Sequence, residues 1–347
     1  MSSLREAVDA VAARTGFAGV VRVDGTHGED LAAAYGYADR AHQVPNTLHT
    51  RFATASGTKG FTALAVMGLV EEGVVGLDTT ARSLLGDDLP LVADDVTVEH
   101  LLAHRSGIGD YLDEDLIEDV AEYALPVPVH TLASTESFLP LLDGHPTAFP
   151  AGTRFAYNNG GFVLLALLAE RATGERFHDL VRTRVWEPAG MGHTAFLRSD
   201  ELPGPAALGY LTVDGPRTNV LILPVLGNGD GGAYTTAGDL RAFWEALFAG
   251  RIVPPGRVAE MVRPRSDWPE EEHRYGLGFH LAAEGDGVWL EGYDAGVSMV
   301  SKHWPSTGTT YTVISNWTDG AWPVIEAVDE RLGGRAGRPS GSGSAAS

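Results

Sequence analysis

Cysteine is absent from all 347 residues. Disulfides, thiolate nucleophiles and zinc–thiolate centres are therefore excluded from this chain's chemistry. Lysine is almost absent: Lys59 and Lys302 are the only two, and arginine supplies the rest of the 25 basic residues. Set against 46 acidic residues, this leaves a formal charge of −21. Such a surface repels polyanions, so neither nucleic acid nor a membrane is expected as a partner. No apolar run reaches the length that spans a bilayer, and MSSLREAVDAVAARTG has no basic start, apolar core and cleavage site. A cytoplasmic location is the expectation. G-x-S-x-G, a phosphate-binding loop and a dinucleotide fingerprint are all missing, which weakens a reading as an elbow-type Ser-His-Asp hydrolase and leaves no cofactor to expect.

What is present reads as a globular α/β protein, with 44% apolar and 20% charged residues. Leu4, Ala7, Val8, Val11 and Ala12 recur at helical spacing, predicting an amphipathic helix over 3–15. FAGVVRVDG and LAAAYGYAD read as strands joined by a turn. Short strands return in HRYGLGFHLAA, GVWLEG, AGVSMVSKHW and TTYTVISNW, and WPVIEAVDERL closes as a helix. Between them the pattern is mainly helical. The expected assembly is an antiparallel sheet flanked by helices, built from residues 1–75 and 237–334, with a mainly helical domain at 76–236. A small-molecule site is expected in the crevice between the two. The Gly/Ser/Pro/Ala stretch at 335–347 is expected to be disordered.

One of the two lysines stands three residues after Ser56, in RFATASGTKGFTALAVMGLVEEG. A serine before a helix has an ordinary use as a cap. Residues i and i+3 of a first turn also face the same way, so the Lys59 ammonium can reach the Ser56 hydroxyl. Serine needs such help, because it is a poor nucleophile until something takes its proton. A helix N-terminus would further favour the anions formed on attack. Other signals carry less. His100 and His104 are four apart without the intervening glutamate of H-E-x-x-H, so a solvent-facing His100, a loop-stabilising His104 and no metal are expected. GNGDGG at 227–232 lacks calcium-loop spacing and reads as a glycine-rich turn. Ser106, without a lysine at i+3, reads as structural.

With Thr50, Phe52, Ser56 and Lys59 in place, the first stretch resembles the nucleophile motif of the penicillin-recognising serine hydrolases, in the branch of class C β-lactamases, D-aminopeptidases, D-alanyl carboxypeptidases and related esterases. VTVEHLLAHRSGIGDY resembles that family's Leu-Leu-Thr-His-Thr-Ser-Gly-Leu segment, with Ala103 and Arg105 as departures. PAGTRFAYNNGGFVLLALLAERATG is similar to its Tyr-x-Asn region, and WEPAGMGHTAF, GGAYTTAGDLRAFW and YGLGFHL follow in order. The resemblance implies the β-lactamase/transpeptidase fold and an acyl-enzyme on Ser56, with Lys59 and Tyr157 moving protons and Asn159 orienting the substrate. It implies small esters or amides as substrates, most of all a carboxylesterase-like activity. The alternatives are a D-aminopeptidase or D-alanyl carboxypeptidase and an acyltransferase. At the third motif, where relatives carry Lys/His-Thr/Gly-Gly, this chain has Leu290-Glu291-Gly292. Gly292 and the backbone of Tyr293 are the expected oxyanion side of the cleft. Without the cation, weak or absent β-lactamase activity is expected; His280 and Lys302 are the nearest alternative cations. Glu291 and Asp294 would instead suit a substrate amine.

Overall fold

The computed structural model describes residues 3–25, 28–113, 119, 120, 122–268 and 271–332. The expected tail at 335–347 lies outside them.

The chain opens with α1 (Leu4–Thr15), whose start is a capping box: the Ser3 hydroxyl accepts from Glu6 N–H, and the Glu6 carboxylate accepts from Ser3 N–H at 2.8 Å. The strands β1 (Gly19–Gly25), β2 (Gly28–Tyr35), β3 (Tyr37–Asp39), β4 (Val44–Pro45) and β5 (Phe52–Ala53) lead to α2 (Thr58–Glu71). The middle holds α3 (Ala81–Leu85), α4 (Val98–Leu102), α5 (Leu139–Leu142), α6 (Asn159–Thr173), α7 (Phe177–Val181) and α8 (Glu187–Ala189). Then come β6 (Ala195–Phe196), β7 (Ala233–Thr235), α9 (Ala237–Phe248) and α10 (Pro255–Met261). The chain returns through β8 (Ser266–Trp268), β9 (His273–Tyr275), β10 (His280–Ala282), β11 (Val288–Asp294), β12 (Val297–Trp304) and β13 (Thr309–Ser315), ending with α11 (Trp322–Leu332).

Eight of these strands form one antiparallel sheet in the order β2-β1-β13-β12-β11-β10-β9-β8. Its two faces separate by strand alternation. Val21, Val23, Trp289, Val300, Tyr311 and Val313 pack beneath Val8 and Ala12 of α1 and Val324 and Val328 of α11. Val20, Leu290, Met299 and Ile314 point the other way, into the cluster formed by α2, α6 and α9. That cluster runs on without a break into α3, α4 and α7.

Helix α2 is buried on every side from Thr58 to Val66. The sheet, α6 and α7 contact it from different directions, and Phe61 meets Trp186 and Phe243 edge-on. The residue that begins this central helix is thus held from all around.

Candidate active site

The turn carrying Ser56 is fixed before any side chain chemistry begins. β5 pairs with β7, and Thr54 donates both its N–H (2.8 Å) and its hydroxyl (3.0 Å) to the Ala233 carbonyl. Ala55 takes a left-handed backbone conformation (φ 43°), which a residue with a Cβ adopts only where its surroundings impose it. Ser56 then sits in a short 3-10 turn that runs directly into α2. From the sheet, β11 presses Gly292 against this turn so closely that a Cβ there would lie 2.0 Å from the Thr54 carbonyl oxygen. Only glycine permits that approach.

Lys59 is 2% exposed, and its ammonium donates to Ser56 Oγ (2.8 Å), Asn159 Oδ1 (2.7 Å) and the Asp230 carbonyl (2.8 Å). Two of these partners are carbonyl oxygens that can only accept. They claim two N–H bonds in either protonation state. The contact to Ser56 is the one that can reverse: an ammonium donates to Oγ, whereas a neutral amine turns its lone pair on the hydroxyl proton. The arrangement can therefore act as a proton acceptor for Ser56 without moving a heavy atom.

Asn159 is held as firmly as the lysine it contacts. Its Nδ2 donates to the Leu112 carbonyl at 3.0 Å, and its N–H donates to Asp110 at 2.5 Å. Asp110 also accepts from Gly160 and Leu112 N–H. Burial pushes the Asp110 carboxyl up to about 7 against the pull of those three bonds and of Lys59. Asp230 accepts from the Tyr111 hydroxyl at 2.5 Å; burial raises its pKa, while the Lys59 charge and the Tyr111 bond lower it.

Tyr157 approaches the same ammonium, with its ring centroid 4.9 Å from Lys59 Nζ. The ring packs at a tilt against His104 (4.3 Å) and stacks on Trp268 (5.7 Å). His104 Nδ1 accepts the Asn158 N–H at 3.0 Å, an assignment that puts its proton on Nε2. Burial and the Lys59 charge hold His104 far below the usual imidazole range, so it stays neutral. Ser56, Tyr157, Asn159, Asp230, Tyr293 and Asp294 all line one cleft of about 750 Å³.

Of the residues expected around the third motif, some face the cleft and some do not. Leu290, where the resemblance places the slot of the missing cation, is 2% exposed and packed so tightly on α2 that a Cβ on Gly60 would lie 2.3 Å from its Cδ2. Glu291, expected beside the substrate, requires correction. It lies on the opposite face of β11, where it accepts from Trp289 Nε1 at 3.0 Å, because alternation turns 290 and 292 toward α2 and the Ser56 turn and 289 and 291 away from them. The Tyr293 side chain also points away, with its hydroxyl donating to Asp319 and its ring against Trp322. Asp294 lines the cleft. Neither alternative cation reaches the slot: Lys302 lies behind the sheet near Asp329, Trp289 and Trp304, and His280 shares a hydrogen bond with His273. His100 is half-buried and completes a capping box with Thr97, where a solvent-facing side chain was expected. Ser106 is buried. Sequence reasoning passes over Asp110, Tyr111, Asp230 and Trp268. Only Asp230 has a signal, since GNGDGG marks a special turn without saying what it touches.

A family model described as Beta-lactamase matches residues 4–330. A crystal structure of a penicillin binding protein from Bacillus halodurans shares the fold with a TM-score of 0.86 at 35% identity, covering 93% of this chain and 99% of that one. A D-aminopeptidase of Brucella anthropi is 31% identical over 262 residues, 74% of this chain and 47% of its own. Esterase EstB of Burkholderia gladioli is 33% identical over 198 residues, 52% of this chain and 48% of its own. The chain spans about half the length of these two curated relatives.

Proposed function

This chain belongs to the beta-lactamase family of acyl-enzyme serine hydrolases, and we propose that it cleaves small amides and esters whose acyl group carries a free amine, in the manner of a D-aminopeptidase. The observation that carries this reading is the burial of Leu290 on α2: it stands where the resemblance places a cation and offers no anchor for a substrate carboxylate. Asp113, Asp119, Glu271 and Asp294 line the cleft against Arg154, a balance that favours a cationic ligand. The similarity to the D-aminopeptidase also extends over more of this chain than that to the esterase.

In this reading Ser56 attacks the carbonyl while its proton passes to Lys59 or Tyr157. The backbone N–H groups of Ser56 and Tyr293 receive the oxyanion. Tyr157 protonates the leaving amine or alcohol, and water then resolves the acyl-enzyme. Asn159 serves by fixing Lys59, in place of the substrate-orienting role that its motif implies.

The test is a substrate panel: D-Ala-p-nitroanilide and its N-acetyl form, a D-Ala-D-Ala peptide, p-nitrophenyl acetate and nitrocefin. The free-amine anilide should exceed its acetylated form in kcat/KM by about tenfold or more, since a lost charge-assisted contact costs about that much. A preference for the acetylated, carboxylate-ended or lactam substrates overturns the assignment. Ser56→Ala should abolish labelling by a fluorophosphonate.

A further inference from the structure

We infer that Asp230, held in place by Tyr111, is the counter-charge of Lys59 and a positioning residue that sets the pH window in which Ser56 becomes a nucleophile. The inference rests on Ser56 being the nucleophile but not on which substrate is cleaved.

One residue meets Lys59 twice. The Asp230 backbone carbonyl accepts an N–H from Nζ at 2.8 Å, and the Lys59 charge pulls down the proton affinity of its carboxyl. The turn that presents it cannot drift. Asn228 and Gly231 bond each other's backbones, and the Thr62 hydroxyl of α2 donates to the Gly229 carbonyl at 2.6 Å. A Cβ on Gly229 would lie 2.1 Å from the Phe162 carbonyl oxygen, so the turn is wedged between α2 and α6. On its open side the Tyr111 hydroxyl donates to Asp230 Oδ2. Asp230 is 9% exposed yet stays at the wall of the cleft.

The charged and titratable groups gathered around Lys59 are Asp110, Tyr111 and His104 from the segment after α4, Tyr157 from the segment before α6, Asp230 from the turn before β7, and His280 from β10. The two histidines are neutral through burial, and the Lys59 charge reinforces this. The Asp110 oxygens are spent on three backbone N–H groups at the start of α6 and in its own loop. Asp230 has the Tyr111 hydroxyl and the N–H groups of its own turn, and the Lys59 charge acts on it. A fixed anion raises the proton affinity of every group nearby. The acidic limb of the rate profile must then move down when that anion is removed, whether Lys59 or Tyr157 takes the Ser56 proton.

The experiment measures the second-order rate of Ser56 phosphonylation by a fluorophosphonate from pH 5 to 10, for the full chain and for Asp230→Asn, Asp230→Glu and Tyr111→Phe, each checked for native circular dichroism. Asp230→Asn should shift the midpoint of the acidic limb down by about one unit, so that well below the wild-type midpoint the variant reacts about tenfold faster. Asp230→Glu should return the midpoint toward wild type, and Tyr111→Phe should shift it less than Asp230→Asn does. An Asp230→Asn variant that is slower at every pH with an unmoved midpoint makes the residue merely structural and overturns the inference. A wild-type chain that never reacts sinks the serine-nucleophile reading and takes this inference with it.

Discussion

At the scale of single residues, the site turns on how many donors one ammonium has. Lys59 spends two on fixed carbonyl oxygens and keeps the third for Ser56, so its protonation state and the direction of that one hydrogen bond change together. Tyr157 differs in kind, since its ring packs against His104 and Trp268 and its chemistry resides in the hydroxyl. Tyr157→Phe should keep the stack and lose the proton donor. Steady-state kinetics on an anilide should show kcat lower by about 10²–10⁴-fold with an unchanged melting temperature. The Ser56–Lys59 relation is legible in the sequence because one helical turn brings i and i+3 together. The rest of the shell is not. Asn159 stands 100 residues from Lys59 and Asp230 stands 171, and no local pattern encodes a contact at that separation. Tyr157 and Asn159 are reached only through the family resemblance, because Tyr-Asn-Asn-Gly-Gly by itself reads as a turn.

At the scale of elements, β11 is the wall that the nucleophile turn leans on. The terminal strands and helices are readable from alternation and helical spacing, and α1, β1, β11, β13 and α11 fall where those patterns put them. Glu291 shows how the same rule corrects a motif-based reading: with Gly292 against Ser56's turn, a period of two already sends Glu291 to the far side. The closeness at Gly292 also makes a sharp test. In Gly292→Ala the added methyl meets the Thr54 carbonyl, so strand and turn must separate. We expect kcat/KM to fall by more than about a hundredfold, with a loss of about 1–3 kcal/mol in stability by denaturant unfolding. Full activity in that variant would mean the turn tolerates displacement.

At the scale of the whole molecule, burial has set the histidines and the acids against each other. His104, His178, His273, His280 and His303 are all pushed below the usual imidazole range by burial, His273 and His303 to about 4. The unfolded chain binds protons at these five sites below about pH 6.5 while the native one does not, so each costs stability as the pH falls. Asp110, Asp230 and Asp329 are raised by burial and act with the opposite sign, because the native state takes up their protons first. Five against three leaves the histidines dominant between about pH 6.5 and 4.5. The melting temperature followed from pH 7 to 5 should fall; a rise would show that the buried carboxyls govern. The charge of −21 adds a second dependence, with moderate salt expected to stabilise the fold by screening self-repulsion.

Both lysines lie inside the fold, 2% and 6% exposed, on opposite sides of the same sheet. Reagents that acylate, cross-link or methylate side-chain amines thus find no lysine on the outside of the native molecule to modify. A surface without a lysine ammonium is invisible to that branch of protein conjugation, and lysine modification becomes a record of how often the interior opens.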